Sequence, residues 1–206
     1  MTKELTADDL IDHIIEEEGG WKITNASNDH GGLTVAGMTA ATFAAWASKN
    51  QSSSLSNLAR QHGVNSITQS AIRAAYLELF IKPSNCLLLP ETHKQMIASC
   101  VVHCGINHVS GYSIVGKWYQ AAINDALVYI YKQGKINHKL LKVDGVIGKQ
   151  TAPAAEFALM NERMASIPNL FVRAQQLHYI NICQDDPSQV KWMEGWYNRA
   201  EKYRVW

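Results

Sequence analysis

Apolar residues recur along most of the chain at the three- and four-residue spacing that is typical of amphipathic helices. The first such stripe consists of Leu10, Ile11, Ile14 and Ile15. Thr6 is a predicted N-cap before this stripe, and Asp9, three residues later, completes a capping box. Two glycines at positions 19 and 20 end the pattern. The sequence therefore predicts a first helix that begins after Thr6 and ends at the glycine pair.

Further apolar stripes predict helices in most of the remaining chain. Residues that favour a helix start precede several of these stripes: Thr39, Thr68, Pro90, Pro168 and Asp186. Pro168 is expected at the first position of a helix over residues 169–183, where the missing amide hydrogen costs nothing. Asp186 is expected to cap the last helix. Aromatic residues at helical spacing in this last segment are expected in the core: Trp192, Trp196, Tyr197 and Tyr203.

Three segments interrupt the helical pattern. Residues 21–38 contain glycine, asparagine and β-branched residues with little helical period, and they predict a loop with a short β-hairpin. Residues 51–57, QSSSLSN, predict a polar connector, and residues 143–151, VDGVIGKQT, predict turns before another helix. The sequence as a whole therefore predicts a mainly α protein with a small β-hairpin after the first helix.

The composition is that of a globular protein with nearly balanced charges. Of 206 residues, 47% are hydrophobic and 18% are charged, and 19 basic and 18 acidic side chains give a formal net charge of +1. There is no basic surplus of the kind that binds nucleic acid, and no polybasic run for a membrane surface. No apolar run approaches the roughly 18 residues of a membrane-spanning helix. We therefore expect neither nucleic-acid binding nor membrane insertion.

Glu18 is the leading candidate for chemistry. It follows Ile14 by four residues and Ile15 by three, so it shares their apolar face, whereas Glu16 and Glu17 are expected to point more towards solvent. Partial burial and the negative end of the helix dipole both disfavour the ionised form, so we expect a raised pKa for Glu18. A carboxylic acid held protonated near neutral pH can protonate a glycosidic oxygen as a general acid.

The loop after Glu18 supplies candidates for the other functions of a glycosidase site. Glycoside hydrolysis usually needs a second group beside the acid, and Asp29 is the best candidate in this stretch, with an ordinary turn residue as the alternative. Thr34 could hydrogen-bond a water on the far face of the sugar. Glycines at 31 and 32 allow the backbone to turn tightly beside a glycan, and Trp21 offers a stacking surface.

These residues resemble the start of glycoside hydrolase family 108, the phage endolysin and secretion-associated muramidase family. Its members typically read Glu-Gly-Gly-aromatic, then Asp-Pro-Gly-Gly, then Thr-Asn-Tyr-Gly-Ile-Thr. The corresponding segments here are Glu18-Gly19-Gly20-Trp21, Asp29-His30-Gly31-Gly32 and Thr34-Val35-Ala36-Gly37-Met38-Thr39. The resemblance implies a lysozyme-like helical domain with Glu18 as the catalytic acid and Asp29 and Thr34 as its catalytic partners. It implies a substrate-binding set of Trp21, Gly31, Gly32, Gly37 and Thr39. This chain departs from the pattern by a loop about two residues longer before Asp29, and by Val35-Ala36 in place of Asn-Tyr.

The resemblance extends through most of the chain. Residues 98–108 are similar to the family's Asp-Phe-Ala-Val-Asn-Ser-Gly segment, and residues 118–151 resemble the Asp-Gly-Val-Ile-Gly element of its peptidoglycan-binding half. Residues 192–203 look like its tryptophan-rich C-terminal helix. We therefore expect one unit over residues 1–206, with a catalytic part at 1–90 and a helical part at 91–206 that resembles the peptidoglycan-binding half. Asp144-Gly145 is expected to be a plain turn rather than a direct contact with the wall.

The predicted activity is cleavage of the β-1,4 bond between N-acetylmuramic acid and N-acetylglucosamine in peptidoglycan. Both retention and inversion of configuration at the cleaved bond fit the sequence. Two biological roles also fit, a phage endolysin and an antibacterial secretion effector. An effector would have an immunity or inhibitor protein as its partner. The alternatives are a non-catalytic peptidoglycan-binding module and a wall peptidase or amidase. The first twenty residues lack the apolar region of a secretory signal. We therefore expect synthesis in the cytoplasm without a signal peptide, and action in the periplasm or cell wall after release or secretion.

The cysteines are expected to be structural. An even number of cysteines permits disulfides, but a chain of this size without a secretory signal does not call for them. Cys100 and Cys104 share a helical face with Met96 and Ile97, which predicts buried core thiols. A zinc site that adds His103 and His108 to this pair is the alternative, although His103 would point away from the cysteine face. The other cysteines are Cys86 and Cys183. We expect no metal and no cofactor.

Overall fold

The computed structural model describes residues 4–25, 33–50, 52–105, 111–134, 139–161 and 166–205. It divides the chain into two compact units, Met1–Pro83 and Ser84–Trp206. The expected assignment of residues 1–90 to catalysis and 91–206 to wall binding within one unit stays a prediction.

The first unit begins with helix α1, Ala7–Glu17. The Thr6 hydroxyl accepts a hydrogen bond from the Asp9 amide at 3.2 Å, and the Asp9 carboxylate accepts one from the Thr6 amide at 2.8 Å. This reciprocal pair is the predicted capping box, and it satisfies two amides that a helix start otherwise leaves unpaired. The predicted apolar stripe is buried: Leu10, Ile11, Ile14 and Ile15.

A small antiparallel sheet follows α1. Its strands are β1, Ile23–Asn25; β2, Leu33–Val35; and β3, Met38–Thr39, in the order β1-β2-β3. Thr24 lies opposite Thr34, and Thr34 lies opposite Thr39. The predicted β element is therefore present, but it has a third short strand, because Val35 pairs with Met38 across a two-residue turn.

Helices complete the first unit: α2, Ala40–Lys49; α3, Ser53–His62; and α4, Gln69–Tyr76. The short helix α5, Lys82–Ser84, lies where the first unit ends in sequence and the second begins. A 3₁₀ turn at Val64–Ser66 precedes α4, and a π-helical segment at Leu77–Ile81 continues it. The prediction of a polar connector at residues 51–57 was wrong, since α3 begins at Ser53. Ser56 is buried, and its hydroxyl donates to the Ala44 carbonyl at 3.0 Å. A serine satisfied in this way can occupy a helix–helix contact.

The second unit is helical throughout its regular elements: α6, Glu91–Gly105; α7, Gly111–Lys132; α8, Thr151–Asn161; α9, Ser166–Asp185; and α10, Met193–Glu201. Two 3₁₀ segments, Cys86–Leu88 and Pro187–Trp192, lie outside these helices. Helix α9 starts three residues before the predicted 169, so Pro168 lies inside its first turn rather than at its first position. Asp186 caps the Pro187–Trp192 segment by accepting a hydrogen bond from the Ser188 amide at 3.0 Å.

The core of the second unit is built largely from α6, α7 and α9. Tyr119 on α7 and Phe171 on α9 are fully buried, and their ring centroids lie 6.3 Å apart. The C-terminal aromatic stripe is less buried than predicted. Trp192 is 41% exposed, and Trp196 is half-buried with its ring 5.2 Å from that of Tyr179.

The predicted fold class is confirmed: the protein is mainly α and lysozyme-like, with a small sheet after the first helix. Within the ranges that the structure describes, no helix is both long and apolar enough to cross a membrane.

Candidate active site

Glu18 is the C-cap residue of α1. Its backbone amide donates to the Ile14 carbonyl at 3.0 Å, which fixes the residue on the helix end, and the residue is half-buried. Gly19 and Gly20 follow with φ angles of +90° and +76°. These angles favour glycine and turn the chain away from the helix axis, as the glycine pair predicted. Trp21 comes next and is half-buried.

The Glu18 side chain lies against the turn between β2 and β3. A Cβ atom built on Gly37 would lie 2.6 Å from Glu18 Oε2 and 2.7 Å from its Cδ and Cγ. Any side chain at position 37 would therefore collide with the carboxyl group. Gly37 was predicted to contact substrate; that role stays a prediction, and the structure shows that the residue leaves room for Glu18.

The turn itself has an unusual backbone. Its two central residues, Ala36 and Gly37, have φ angles of +50° and +75°, the pattern of a type I′ turn. Such a φ is disfavoured for alanine because Cβ approaches its own backbone. Ala36 is 1% exposed, and its carbonyl accepts a hydrogen bond from the hydroxyl of Tyr76 at 2.5 Å.

Tyr76 is fully buried at the end of α4. Burial raises the pKa of its hydroxyl well above the usual range, and the charge of Glu18 raises that pKa further. Tyr76 is thus electrostatically linked to Glu18 and remains a neutral hydrogen-bond donor at any ordinary pH.

The sheet presents a row of threonines. The hydroxyl groups of Thr24 and Thr34 lie 2.6 Å apart and share a hydrogen bond. Thr39 lies on β3, on the opposite side of β2 from β1. It is also the N-cap of α2, and its hydroxyl accepts a hydrogen bond from the Thr42 amide at 3.1 Å. Thr34 is half-buried. Its predicted role as a catalytic partner and the predicted contact of Thr39 with substrate both stay predictions.

The expectation for the two acids before Glu18 held only in part. Glu16 is exposed. The Glu17 side chain is only 4% exposed, and its carboxylate lies 3.9 Å from His13 Nε2, one helical turn earlier. The spacing of four residues lets the two side chains fold together along the helix surface, which draws Glu17 out of solvent.

Three predicted site residues fall outside the described residues: Asp29, Gly31 and Gly32. Their roles stay predictions. Two residues that the sequence did not single out contact this region: Thr24 shares a hydrogen bond with Thr34, and Tyr76 donates one to Ala36. The position of Thr24 could have been predicted, because strands β1 and β2 of the predicted hairpin pair Thr24 with Thr34. The contact of Tyr76 could not, since Tyr76 is one of many apolar positions on its helix.

The four cysteines are buried thiols, as predicted for Cys100 and Cys104. The sulfur atoms of these two residues lie 3.7 Å apart on α6. Among the residues described, no group of three or more histidine, cysteine or acidic side chains is arranged to hold a metal. His108, part of the alternative zinc site, lies in the segment left undescribed.

In the second unit, the predicted turn at Asp144-Gly145 is held by α7. The Gln120 side chain is buried, with 2% exposure. Its amide nitrogen donates to Asp144 Oδ1 at 2.9 Å and to the Val146 carbonyl at 3.1 Å. Its amide oxygen accepts a hydrogen bond from the Gly145 amide at 2.7 Å. A Cβ on Gly116 would lie 2.0 Å from the Gly145 carbonyl oxygen, so the two backbones are in direct contact. The plain-turn interpretation accounts for these bonds.

Two family models match this chain. Residues 11–108 match Glycosyl hydrolase 108, and residues 117–201 match the model described as Predicted Peptidoglycan domain. Residues 11–108 therefore form a segment of the glycoside hydrolase family 108 type, and a peptidoglycan domain covers residues 117–201. These two matches confirm the predicted resemblance.

A solved structure is similar in fold. The structure of Brucella abortus SagA is 21% identical to this chain, with a TM-score of 0.61, and the match covers 96% of this chain and 90% of that one. A comparison with curated proteins found no match.

The two family matches define the activity at a coarse level. The protein is a glycoside hydrolase, and the peptidoglycan domain supports peptidoglycan as its substrate.

Proposed function

We propose that the protein is an N-acetylmuramidase. It cleaves the β-1,4 bond between N-acetylmuramic acid and N-acetylglucosamine in the glycan strands of peptidoglycan. The observation that carries this proposal is the position of Glu18, half-buried at the end of α1 with its carboxyl group against the Ala36-Gly37 turn.

In this mechanism Glu18 protonates the glycosidic oxygen as the general acid. Its half-buried position at the negative end of α1 favours the protonated form. Asp29 and Thr34 stabilise the positive charge that develops on the sugar or position the attacking water. The Thr24 hydroxyl holds that of Thr34 in place on the sheet. No cofactor takes part in this chemistry.

The biological setting is part of the same proposal. Peptidoglycan lies outside the cytoplasmic membrane, so the enzyme acts in the periplasm or cell wall after release or secretion. A phage lysis enzyme and an antibacterial effector both meet this requirement. An effector would have an immunity protein that covers Glu18 in the producing cell, and purification of the enzyme from its native producer without a tightly bound protein would argue against that role.

The deciding experiment is mass spectrometry of the soluble fragments released from purified peptidoglycan. Wild type is expected to release fragments with N-acetylmuramic acid at the reducing end, and Glu18→Gln, which keeps the shape of the side chain but has no acidic proton, is expected to release none. Glu16→Gln is the matched control, because Glu16 is exposed on the same helix.

Other outcomes point elsewhere. Binding without release by either protein would support the non-catalytic module. Cleaved peptide stems with intact glycan would reject the glycosidase and support a peptidase or amidase.

A further inference from the structure

Tyr76 makes a contact that neither the family match nor the proposed mechanism uses. It lies on α4, 40 residues after Ala36 in sequence, and its hydroxyl donates to the Ala36 carbonyl at 2.5 Å. Both residues are buried, Tyr76 at 0% and Ala36 at 1% exposure. A hydrogen bond in such a place is costly to remove, because the carbonyl would stay buried without this donor.

The acceptor belongs to a strained turn. Ala36 has a φ of +50°, which glycine or asparagine adopts easily and alanine does not. Residues in such conformations persist only where their surroundings hold them, and they cluster at functional sites. Here the surroundings include the Tyr76 hydroxyl, which fixes the carbonyl of the strained residue itself.

The same turn forms the wall beside the acid. Gly37, the second residue of the turn, is so close to Glu18 that a Cβ would lie 2.6 Å from Oε2. A small rotation of the Ala36-Gly37 peptide would therefore either press on the carboxyl group or open a gap beside it. Sub-ångström placement of a catalytic group matters, since misplacement by about 1 Å can cost a hundredfold in rate.

We propose that Tyr76 is a positioning residue for Glu18, acting through the Ala36-Gly37 turn. The hydroxyl holds Ala36 in its left-handed conformation, the turn holds Gly37 against the acid, and the acid is thereby aimed at the glycosidic oxygen. This inference rests on the proposed function of Glu18 as the general acid. Tyr76 itself does not touch substrate.

The first test is Tyr76→Phe, assayed on soluble peptidoglycan glycan strands. The variant keeps the ring and loses only the hydroxyl. We expect kcat to fall about tenfold, the equivalent of one buried hydrogen bond, with KM unchanged. A purely structural role would lower the amount of folded protein and leave kcat per folded molecule as in wild type.

The second test places the same change in an Ala36→Gly background. Glycine adopts a positive φ at little cost, so the turn no longer needs the hydroxyl to hold its shape. Loss of the hydroxyl is then expected to lower kcat less than about twofold relative to Ala36→Gly alone. An equal loss in both backgrounds would overturn the proposal, because the hydroxyl would then act by a route other than the turn.

Spectroscopy gives a readout that does not depend on turnover. The ¹³C signal of the Glu18 carboxyl group is expected to shift in Tyr76→Phe and to return towards its wild-type position in the double variant. Ile72→Val is the matched control, because Ile72 is fully buried one turn earlier on α4. The shorter side chain weakens core packing but leaves the Tyr76 hydroxyl in place. An equal shift in the control would overturn the proposal.

Two further outcomes are decisive. If Tyr76→Phe does not fold and the double variant does, the coupling to the turn is established; if neither folds, the hydroxyl supports more than the turn and the proposal fails. Failure of the proposed function is separate, because wild type would then release no glycan fragments at all. Glycan release that depends on Glu18 but is insensitive to Tyr76 would reject this inference alone.

Discussion

Gly37 is the residue on which the room available to Glu18 depends most directly. Gly37→Ala combines an unfavourable positive φ with a collision at Glu18. We expect it to lower the free energy of unfolding by about 1 kcal/mol or more through the backbone, and to lower kcat by at least about tenfold by displacing the acid. Urea unfolding and the glycan assay measure the two effects separately.

Gly134→Ala provides the comparison. Gly134 has a φ of +71°, close to the +75° of Gly37, and nothing lies within 4 Å of an added Cβ. Gly134→Ala should lower the free energy of unfolding through the backbone but leave kcat unchanged. If both variants were equally active, the contact between position 37 and Glu18 would have no bearing on catalysis.

For single residues the sequence predicted the position of Glu18 at the helix end but not its surroundings, and its catalytic role stays a prediction. Helical spacing separated Glu18 from the exposed Glu16 but not from Glu17, whose side chain is only 4% exposed, and the two glycines predicted the turn that follows. The contact from Tyr76 could not be predicted, because an apolar stripe shows that a residue is buried but not which backbone group, 40 positions away, it will meet.

Among the elements, the turn at Asp144-Gly145 is joined to α7 by the buried side-chain amide of Gln120. Gln120→Glu keeps the acceptor for the Gly145 amide but removes the donor to Asp144 and Val146, and it places a second carboxyl group beside Asp144. We expect a loss of about 2 to 4 kcal/mol in the free energy of unfolding, because a buried carboxyl that faces two acceptors, the Asp144 carboxylate and the Val146 carbonyl, is costly. Urea unfolding measures it.

Gln133→Glu is the control for that change, because Gln133 is exposed just after α7. A surface substitution of this kind should alter stability by no more than about 0.5 kcal/mol. Equal stability of the two variants would show that the Gln120 amide does not hold the turn.

Capping and glycine signals predicted element ends well, and polar composition predicted connectors poorly. Thr6, Thr39 and Thr68 all cap helices through their hydroxyls, as expected. The serines of residues 51–57 suggested a connector, yet Ser56 lies inside α3, because its hydroxyl finds a carbonyl on α2. That partner exists only in the folded protein. The third strand was missed for a related reason, since two residues carry too little pattern to be recognised.

For the whole molecule, the clearest dependence on solution conditions comes from His93. It is fully buried, and burial lowers its pKa from 6.5 to about 4. Between these two pH values the unfolded chain binds a proton that the folded chain does not. The stabilisation from neutral His93 is therefore complete above pH 6.5 and is lost as pH falls through 4.

We accordingly expect His93 to contribute a fall of about 2 kcal/mol in the free energy of unfolding between pH 7.5 and pH 5, read as the difference between wild type and His93→Gln. Urea unfolding at a series of pH values measures the slope. The lowered pKa values of Asp144, Asp186 and Glu201 change stability only as pH falls through the ordinary pKa of a carboxyl group and below, so they contribute little over this range. His93→Gln should flatten the slope over this range, and an unchanged slope in that variant would assign the effect to another group.

The irregular residues 139–150, which precede α8, have a further property. The Leu141 amide donates to the Asn124 side chain at 2.7 Å, and the Gly145 amide donates to the Gln120 side chain at the same distance. Both acceptors are fixed on the long helix α7, so neither amide proton can meet solvent until that helix loosens. We therefore expect the amide protons of Leu141 and Gly145 to exchange with solvent at the rate of those in α7, although residues 139–150 contain no helical turn.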